Sequence, residues 1–339
     1  MSVATQTEVK GEAPAVARRS SLSPALKEHL QVYTPLVIII IGLSLVATSE
    51  NSIFLTWGNI QRILLASAVL GILAVGQTFL LVGGQMDLSV GSMVSLGSVI
   101  AAKMSVAGKP DAVTVLVVLV VAVAAGLLWG VIVCYLKVPP FILTLGGLAA
   151  VSSVALTLAQ STPVPVPTGL DWLQNGSLLG LQTPLIIWLV VALLGGLVLH
   201  FTRLGRNVFY LGANEEAAFL AGVATRRVKL TLYGINGLLT GLAALVMIGR
   251  LGAGDPRGGT GLELMVIAAI VLGGASLGGG RGSILGSILG VLVLGVVTSA
   301  LTFLNVPDSY DQLVFGGILI AATCVTAGAE LRRRRVRKA

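Results

Sequence analysis

The sequence predicts an all-α protein that crosses a membrane about ten times, with both termini in the cytoplasm. Of its 339 residues, 55% are hydrophobic and only 11% are charged. A soluble domain carries about 25% charged residues, so this chain has too few polar side chains to cover a water-facing surface. Its 43 glycines and 5% aromatic residues are typical of helices that pack closely in lipid through small residues.

Ten apolar runs are candidates for membrane-crossing helices, each of which needs about 20 residues. The third run is rich in Gly and Ser, and the first, eighth and tenth are short, so these four are candidates for tilted or half-crossing segments. The ten runs lie near 36–48, 60–82, 88–106, 112–135, 140–160, 184–201, 230–251, 263–275, 283–304 and 312–328.

The distribution of basic residues predicts the orientation of these runs. If all ten cross, seventeen of the 22 Lys and Arg residues fall on one side, and basic residues near span ends stay in the cytoplasm. The sequence then divides into a cytoplasmic leader (1–34), a transmembrane domain (35–329) with a cytoplasmic loop at 202–229, and a basic tail (330–339). We expect the tail to contact anionic lipid headgroups. Because the basic residues are scattered between spans, they do not indicate nucleic-acid binding.

The chain lacks the motifs of a self-powered transporter or an enzyme. It has no G-x-x-x-x-G-K-[S/T] phosphate loop, and its carboxylates lie near predicted span ends, which argues against ion coupling. Its two histidines, His29 and His200, are too far apart in the predicted topology to form an obvious metal site. We therefore expect no catalytic residue, no metal and no bound cofactor, and an energy source outside this chain.

The cytoplasmic loop at 202–229 contains its own short helix. Asn214 is a good N-cap, Glu215 and Glu216 put negative charge at the positive end of the helix dipole, and Gly222 is a natural stop. These signals predict an eight-residue helix about 12 Å long, which needs something to pack against. It either lies on lipid headgroups or docks into a groove of a cytoplasmic partner.

Three segments, taken together, resemble the permeases of ATP-binding-cassette importers that carry ribose, xylose and related monosaccharides. The resemblance covers roughly residues 60–328. Three matching segments in the same order are more specific than any single match. The segments are GGQMDLSVGS at 83–92, GRNVFYLGANEEAAFLAGVATRRVK at 205–229 and RLGAGDPRGGTGLELMVIAAIVLGGASLGGGRGSILGS at 250–287.

This resemblance implies a separate cytoplasmic ATPase that uses ATP, an external sugar-binding protein, and a second permease subunit that is either identical or a paralogue. It also implies a location in the bacterial cytoplasmic (inner) membrane. On this interpretation, the loop helix is the coupling helix that transmits ATPase motion. Its residues are Asn214, Glu215, Glu216, Ala217, Ala218 and Gly222.

Small and polar residues form stripes along three of the runs, and we expect these stripes to point into the bundle. They indicate either close helix packing or a water-filled path for a neutral polyol, whose hydroxyls need hydrogen-bond partners but no counter-charge. For Asp87, which follows a Gly-Gly pair, the alternatives are a helix cap and a role in the path. The candidate path residues are Gln77, Asp87, Ser153, Tyr233, Asn236 and Thr240.

The predicted external loop at 161–183 is the natural landing site for the binding protein, although it is equally a cap on the bundle. Two other functions remain open at this stage. A branched-chain amino-acid permease has a similar architecture, and a channel or ion-coupled carrier would work without partners. The sequence does not name the sugar.

Overall fold

The computed structural model describes residues 24–320, apart from positions 167, 168, 179, 308, 309, 311, 312, 315 and 319. Most of the described chain is helical. The helices are α1 (Pro24–Glu50), α2 (Trp57–Val82), α3 (Val90–Val106), α4 (Asp111–Leu136), α5 (Pro140–Leu158), α6 (Asp171–Gln174), α7 (Thr183–Phe201), α8 (Arg203–Ala213), α9 (Glu215–Leu220), α10 (Thr225–Leu251), α11 (Leu262–Leu272) and α12 (Ile284–Phe303). Four two-residue strands form two antiparallel pairs: β1 (Val164–Pro165) with β4 (Ala253–Gly254), and β2 (Ser177–Leu178) with β3 (Leu181–Gln182).

Within the described residues, six helices are long and apolar enough to cross a membrane: α2, α4, α5, α7, α10 and α12. Shorter apolar helices lie at Tyr33–Ser49, within α1, at α3 and at α11. These nine helices correspond to the first nine predicted spans. The leader up to residue 23 and the basic tail lie outside the described residues, as does most of the tenth predicted span, 312–328.

The turns of the bundle meet at two ends, as the alternating topology requires. At one end, the backbone N–H of Gly280 donates to the carbonyl of Val82 over 2.8 Å, and Arg226 stacks over the ring of Tyr135, 5.5 Å from its centroid. We call this the basic end, because it holds seven of the twelve Lys and Arg residues within 33–307. The seven are Lys137, Arg203, Arg206, Arg226, Arg227, Lys229 and Arg281.

At the opposite end, the loop before α7 packs on its neighbours. The strand pair β1–β4 joins this loop to the segment after α10. The N–H of Leu170 donates to Asp111 over 2.9 Å, and Gln61 donates to the carbonyl of Gly180 over 3.3 Å. The loops predicted to be external therefore lie together, away from the loops predicted to be cytoplasmic.

Glycine-rich breaks follow α2 and α11, and they share one hydrogen-bond pattern. After α2, the N–H groups of Gly84 and Gln85 donate to the carbonyls of Leu81 and Leu80. After α11, the N–H groups of Gly274 and Ala275 donate in the same way to the carbonyls of Val271 and Ile270. Each pair of bonds caps carbonyls that the helix end leaves free. Gly84 has φ +70°, a conformation that glycine adopts at little cost.

The eighth predicted span crosses only part of the bilayer as a helix. α11 has 11 residues, about 16 Å of rise against a hydrocarbon core of about 30 Å. The non-helical segment before it packs along α3, where the N–H of Gly259 donates to the hydroxyl of Ser95 over 2.9 Å. Non-helical backbone at membrane depth is stable only where protein or water covers it, and here α3 covers it.

The centre of the fold is formed by α2 and α10, whose most apolar 18-residue stretches are 78% and 72% buried. The corresponding stretch of α5 is only 17% buried. In a single chain, α5 therefore presents most of its surface to lipid or to another protein.

Candidate functional site

The predicted coupling helix is present as α9, at the basic end. The side chain of Asn214 accepts a hydrogen bond from the N–H of Ala217 over 2.9 Å, as expected of an N-cap. The helix has six residues rather than the predicted eight, because a closing turn begins at Ala221. In that turn, Gly222 has φ +85°, and the N–H of Val223 donates to the carbonyl of Ala218 over 3.0 Å.

The apolar side chains of α9 mostly face away from the bundle. Ala218 is buried, whereas Phe219 is 65% exposed and Leu220 is 78% exposed. Ala217 is also exposed. Exposed large apolar side chains that lie next to each other mark interaction surfaces more often than isolated ones do. We call Phe219 and Leu220 the apolar tip.

An ion pair ties α9 to the start of α10. The ammonium of Lys229 lies 2.7 Å from the carboxylate of Glu215. The Lys229 side chain is 11% exposed and that of Glu215 is 53% exposed, so water screens one partner more than the other. Glu216 is exposed at the positive end of the helix dipole. The pair orients a helix that is too short to be stable by itself.

A cavity of about 980 Å³ separates α9 from the turn between α4 and α5. The side-chain carbonyl of Gln85, a buried residue in its lining, has no hydrogen-bond partner within the described residues. The other charged and aromatic residues that line this cavity are Tyr135, Lys137, Glu215, Glu216, Phe219, Arg226, Arg227 and Lys229.

The loop predicted to be cytoplasmic contains a second helix, α8, which the sequence analysis does not predict. The hydroxyl of Thr202 accepts from the N–H of Gly205 over 3.2 Å and caps this helix. Val208 and Leu211 bury its inner face. The signal was available, because a threonine before apolar residues at spacings of three and four predicts an amphipathic helix.

Gly212, near the end of α8, lies against two other elements. A Cβ atom at this position would lie 1.8 Å from the carbonyl oxygen of Val82, at the end of α2, and 2.6 Å from the nitrogen of Gly280. Gly279 is similarly close to Gly84. We call these four glycines, Gly84, Gly212, Gly279 and Gly280, the glycine junction. It connects α8, which leads directly into α9, to α2 and to the turn between α11 and α12.

Five of the six predicted path residues lie together in the bundle. Asp87 is 4% exposed and lies in the break between α2 and α3, near the span end where the sequence placed it. One of its carboxylate oxygens accepts from the N–H (2.8 Å) and the hydroxyl (2.6 Å) of Ser89. The other accepts from the amide of Asn236 over 3.0 Å. The sequence suggested that Asp87 caps α3, and this is confirmed in part. Its carboxylate accepts from the N–H of Ser89, but the residue directly before α3 is Ser89 itself.

Three further bonds enclose this break. The amide of Gln77 donates to the backbone carbonyl of Asp87. The hydroxyl of Tyr233 donates to the carbonyl of Met86 over 3.3 Å, and the indole of Trp129 donates to the hydroxyl of Ser89 over 3.0 Å. Thr240 is buried one turn further along α10, where its hydroxyl bonds back to the carbonyl of Asn236. We call the group around Asp87 the polar core.

The sixth predicted residue, Ser153, lies apart from the polar core. The expectation that its stripe points into the bundle was wrong for the single chain, because every member of the stripe is exposed. The periodicity placed these residues on one face of α5 correctly, but that face points away from the chain's own core. The members are Gly146, Ala149, Ser153, Thr157 and Gln160.

The chain is similar to known transport proteins over most of its length. A family described as the permease component of the branched-chain amino acid transport system matches residues 59–323. The chain is 35% identical over 306 residues to the ribose import permease protein RbsC of Escherichia coli (strain K12), across 88% of this chain and 94% of that one. No solved structure matches the chain.

Two further relatives carry the names of other pentoses. The chain is 37% identical to the L-arabinose ABC transporter permease protein AraH of Azospirillum brasilense, across 84% of this chain and 85% of that one. It is 31% identical to the xylose transport system permease protein XylH of Escherichia coli (strain K12), across 98% of this chain and the whole of that one.

Proposed function

The chain belongs to the family of branched-chain amino acid transport system permease components, and from this premise we propose that it is the permease subunit of an ATP-driven importer of a neutral monosaccharide. The family's description mentions amino acids, but the relatives named above carry the names of ribose, arabinose and xylose. They therefore favour a sugar over the branched-chain amino-acid alternative. The same relatives support a multi-pass location in the bacterial cytoplasmic membrane.

The single observation that carries the coupling proposal is the apolar tip at the basic end. α9 is capped by Asn214, held by the ion pair of Glu215 with Lys229, and presents Phe219 and Leu220 outward. Two large apolar side chains on a short, fixed helix suit a groove on another protein. We propose that this groove belongs to a cytoplasmic ATP-binding-cassette ATPase. That subunit would use the ATP, and this chain would bind no cofactor.

The glycine junction supports a route for motion from the ATPase into the membrane. α8 and α9 are joined by Asn214 alone, and Gly212 packs backbone-to-backbone on the end of α2 and on Gly280. Because close-packed backbones have little free space between them, a shift of α8 must displace α2 and the turn before α12. α2 is also the helix whose Gln77 holds Asp87.

The exposed stripe on α5 supports a sugar path between two permease subunits. Ser153 and Thr157 provide hydroxyls, and the small residues beside them leave room. A face of this kind is poorly matched to lipid but suits a water-filled path lined by two chains. The bonds that the polar core residues make to one another favour packing for Gln77, Asp87, Tyr233, Asn236 and Thr240. The path proposal therefore rests on Ser153.

The topology that completes this proposal has ten spans and both termini in the cytoplasm. Basic residues favour the cytoplasmic side, which makes the basic end cytoplasmic. The opposite end, with the loop at 161–183, would receive an external sugar-binding protein. A stand-alone ion-coupled carrier is less well supported, because neutral donors of the protein already occupy both oxygens of the buried Asp87.

Reconstitution tests this function. The chain is placed in proteoliposomes with its ATPase and binding protein, and uptake of labelled ribose, xylose and L-arabinose is measured with and without ATP, with leucine as the competing solute. We expect ATP-dependent uptake of at least one sugar and no effect of leucine. Sugar movement by the chain alone, or uptake that leucine abolishes, would contradict the proposal.

A further inference from the structure

A second cavity lies at the opposite end of the bundle, between α2, α10, α11 and α12. Its volume is about 720 Å³. Arg62 lies near the start of α2, Arg250 is next to the last residue of α10, and Phe303 ends α12, so the cavity opens where these helices leave the membrane. Much of its deeper wall is apolar, and this part consists of Ile63, Val69, Leu70, Met247, Met265 and Leu294.

Two cationic side chains line this cavity without an acidic partner. Within the described parts of 24–320, neither Arg62 nor Arg250 forms a salt bridge. Arg250 donates one hydrogen bond, over 3.3 Å, to the carbonyl of Ala66. A guanidinium has five N–H donors, so both side chains retain donors for an anion. Planar guanidinium groups bind phosphate especially well.

A buried hydroxyl in the same cavity also lacks a partner. Ser67 is 3% exposed, and its hydroxyl makes no hydrogen bond within the described residues. It faces Gly295 on α12, where a Cβ atom would lie 2.3 Å from the hydroxyl oxygen. Ser67 is five residues beyond Arg62 along α2, which is about 7.5 Å deeper at 1.5 Å per residue. The hydroxyl therefore packs against α12, deeper in the bundle than the arginines at the mouth.

We propose that this cavity binds an anionic phospholipid, with the phosphate between Arg62 and Arg250 and an acyl chain along the apolar wall. The mouth supplies the positive charge, and the wall supplies the apolar surface. Ligand cavities are mostly apolar with a few polar groups that orient the ligand. A carboxylate side chain of a protein partner would pair with the arginines but leave the deeper apolar wall unfilled. A free phosphate would leave the same wall exposed to water.

Native mass spectrometry of the purified full-length protein tests the proposal. Phosphatidylglycerol is added to the delipidated protein, and its dissociation constant is compared with that of phosphatidylcholine. The test variant is R62Q/R250Q. The control is R257Q, which removes an exposed arginine from the loop between α10 and α11 that does not line the cavity. We expect the double variant to bind phosphatidylglycerol at least tenfold more weakly, and R257Q to bind it as the unchanged protein does.

Further variants and competitors distinguish lipid binding from unfolding, from binding of a soluble anion and from binding of a protein partner. R62K/R250K retains the charges, so it should bind more tightly than R62Q/R250Q, and equal melting temperatures exclude unfolding as the cause. Equal binding by R62Q/R250Q and the unchanged protein would overturn the proposal. Competition by glycerol phosphate, which has no acyl chain, would instead indicate a soluble anion. Unchanged lipid binding with lost association of the external binding protein would assign the arginines to that partner.

Discussion

Asn236 donates its side-chain amide to one carboxylate oxygen of Asp87 over 3.0 Å, although the two residues are 149 positions apart in the chain. The bond joins α10 to the break between α2 and α3. The other carboxylate oxygen is held by Ser89, and Gln77 holds the backbone of the same residue. Gln77 and Asn236 thus fix the segment before α3 against α2 and α10.

Replacing Asn236 with Asp should destabilise the protein strongly. The two side chains have the same shape, which matters because a Cβ atom on Gly76 would lie only 2.8 Å from the Asn236 oxygen. The change therefore acts through charge: two carboxylates at this distance cannot both be ionised, and a donor to Asp87 is lost. We expect a cost of about 2 kcal/mol or more, measured as a lower melting temperature and a lower yield of folded protein in detergent.

The reciprocal swap D87N/N236D is the control for this prediction. The amide of the new Asn can donate to the new Asp, and its oxygen still accepts from Ser89. The swap should therefore recover part of the stability that N236D loses. If N236D alone has the same melting temperature as the unchanged protein, the bond between α10 and the break contributes nothing to stability.

Removing the apolar tip should weaken the ATPase interaction without unfolding the chain. Phe219 and Leu220 are 65% and 78% exposed, so F219S/L220S removes little packing within this chain. Large apolar contacts dominate many interfaces, and we expect at least a tenfold loss of ATPase association in a pull-down titration, with a parallel loss of uptake. The control L178S changes an exposed leucine at the opposite end and should leave ATPase association unchanged.

Reversing the ion pair between Glu215 and Lys229 tests whether Glu215 only positions α9 or also contacts the ATPase. K229E alone places two carboxylates together and should release α9 from α10. The swap E215K/K229E restores the pair with its direction reversed. If Glu215 only positions α9, the swap should recover uptake and ATPase association to near the unchanged level. If the swap binds the ATPase as weakly as K229E does, Glu215 itself contacts the partner.

Replacing Gly212 tests whether the glycine junction transmits motion from α8 and α9 to the membrane helices. In G212A, the new Cβ would lie 1.8 Å from the carbonyl oxygen of Val82, so two backbones must separate. We expect a lower melting temperature and slower uptake per ATP hydrolysed. The matched control is G196A, because Gly196 lies in α7, where a Cβ atom would have no neighbouring atom within 4 Å. Equal uptake per ATP in both variants would mean that the junction transmits nothing.

Local signals were enough to predict some of these features and insufficient for others. Asn214 and Gly222 act on backbone groups within five residues of themselves, so their roles could be inferred from neighbouring sequence. The close approach at Gly212 depends on residues 82 and 280, which no local pattern brings together. The partner of Asp87 was likewise hidden, because the polar stripe on α10 identifies Asn236 but does not show what its amide contacts.

Helical periodicity also explains why the sequence predicted an inward-facing stripe on α5 that in fact faces away from the chain's own core. A spacing of three and four places Ser153 and Thr157 on one face, but it does not state what that face contacts. In a soluble protein the polar face would point to water. In a membrane protein it points to the protein's own core, to a second subunit or to a water-filled path, and only the packed structure distinguishes the first of these from the others.

The last prediction concerns what covers this face in the assembled importer. In a background where Cys134 and Cys324 are changed to Ser, the variant S153C is compared with L193C, whose position on α7 is 63% exposed. A membrane-impermeant thiol reagent reacts with thiolate, which forms in water and not in lipid. If Ser153 lines a sugar path between two subunits, S153C should react, and bound sugar or ATP should change its rate, while L193C stays unreactive. Equal protection of both cysteines in every state would place α5 against lipid, and the path would then have to lie elsewhere in the protein.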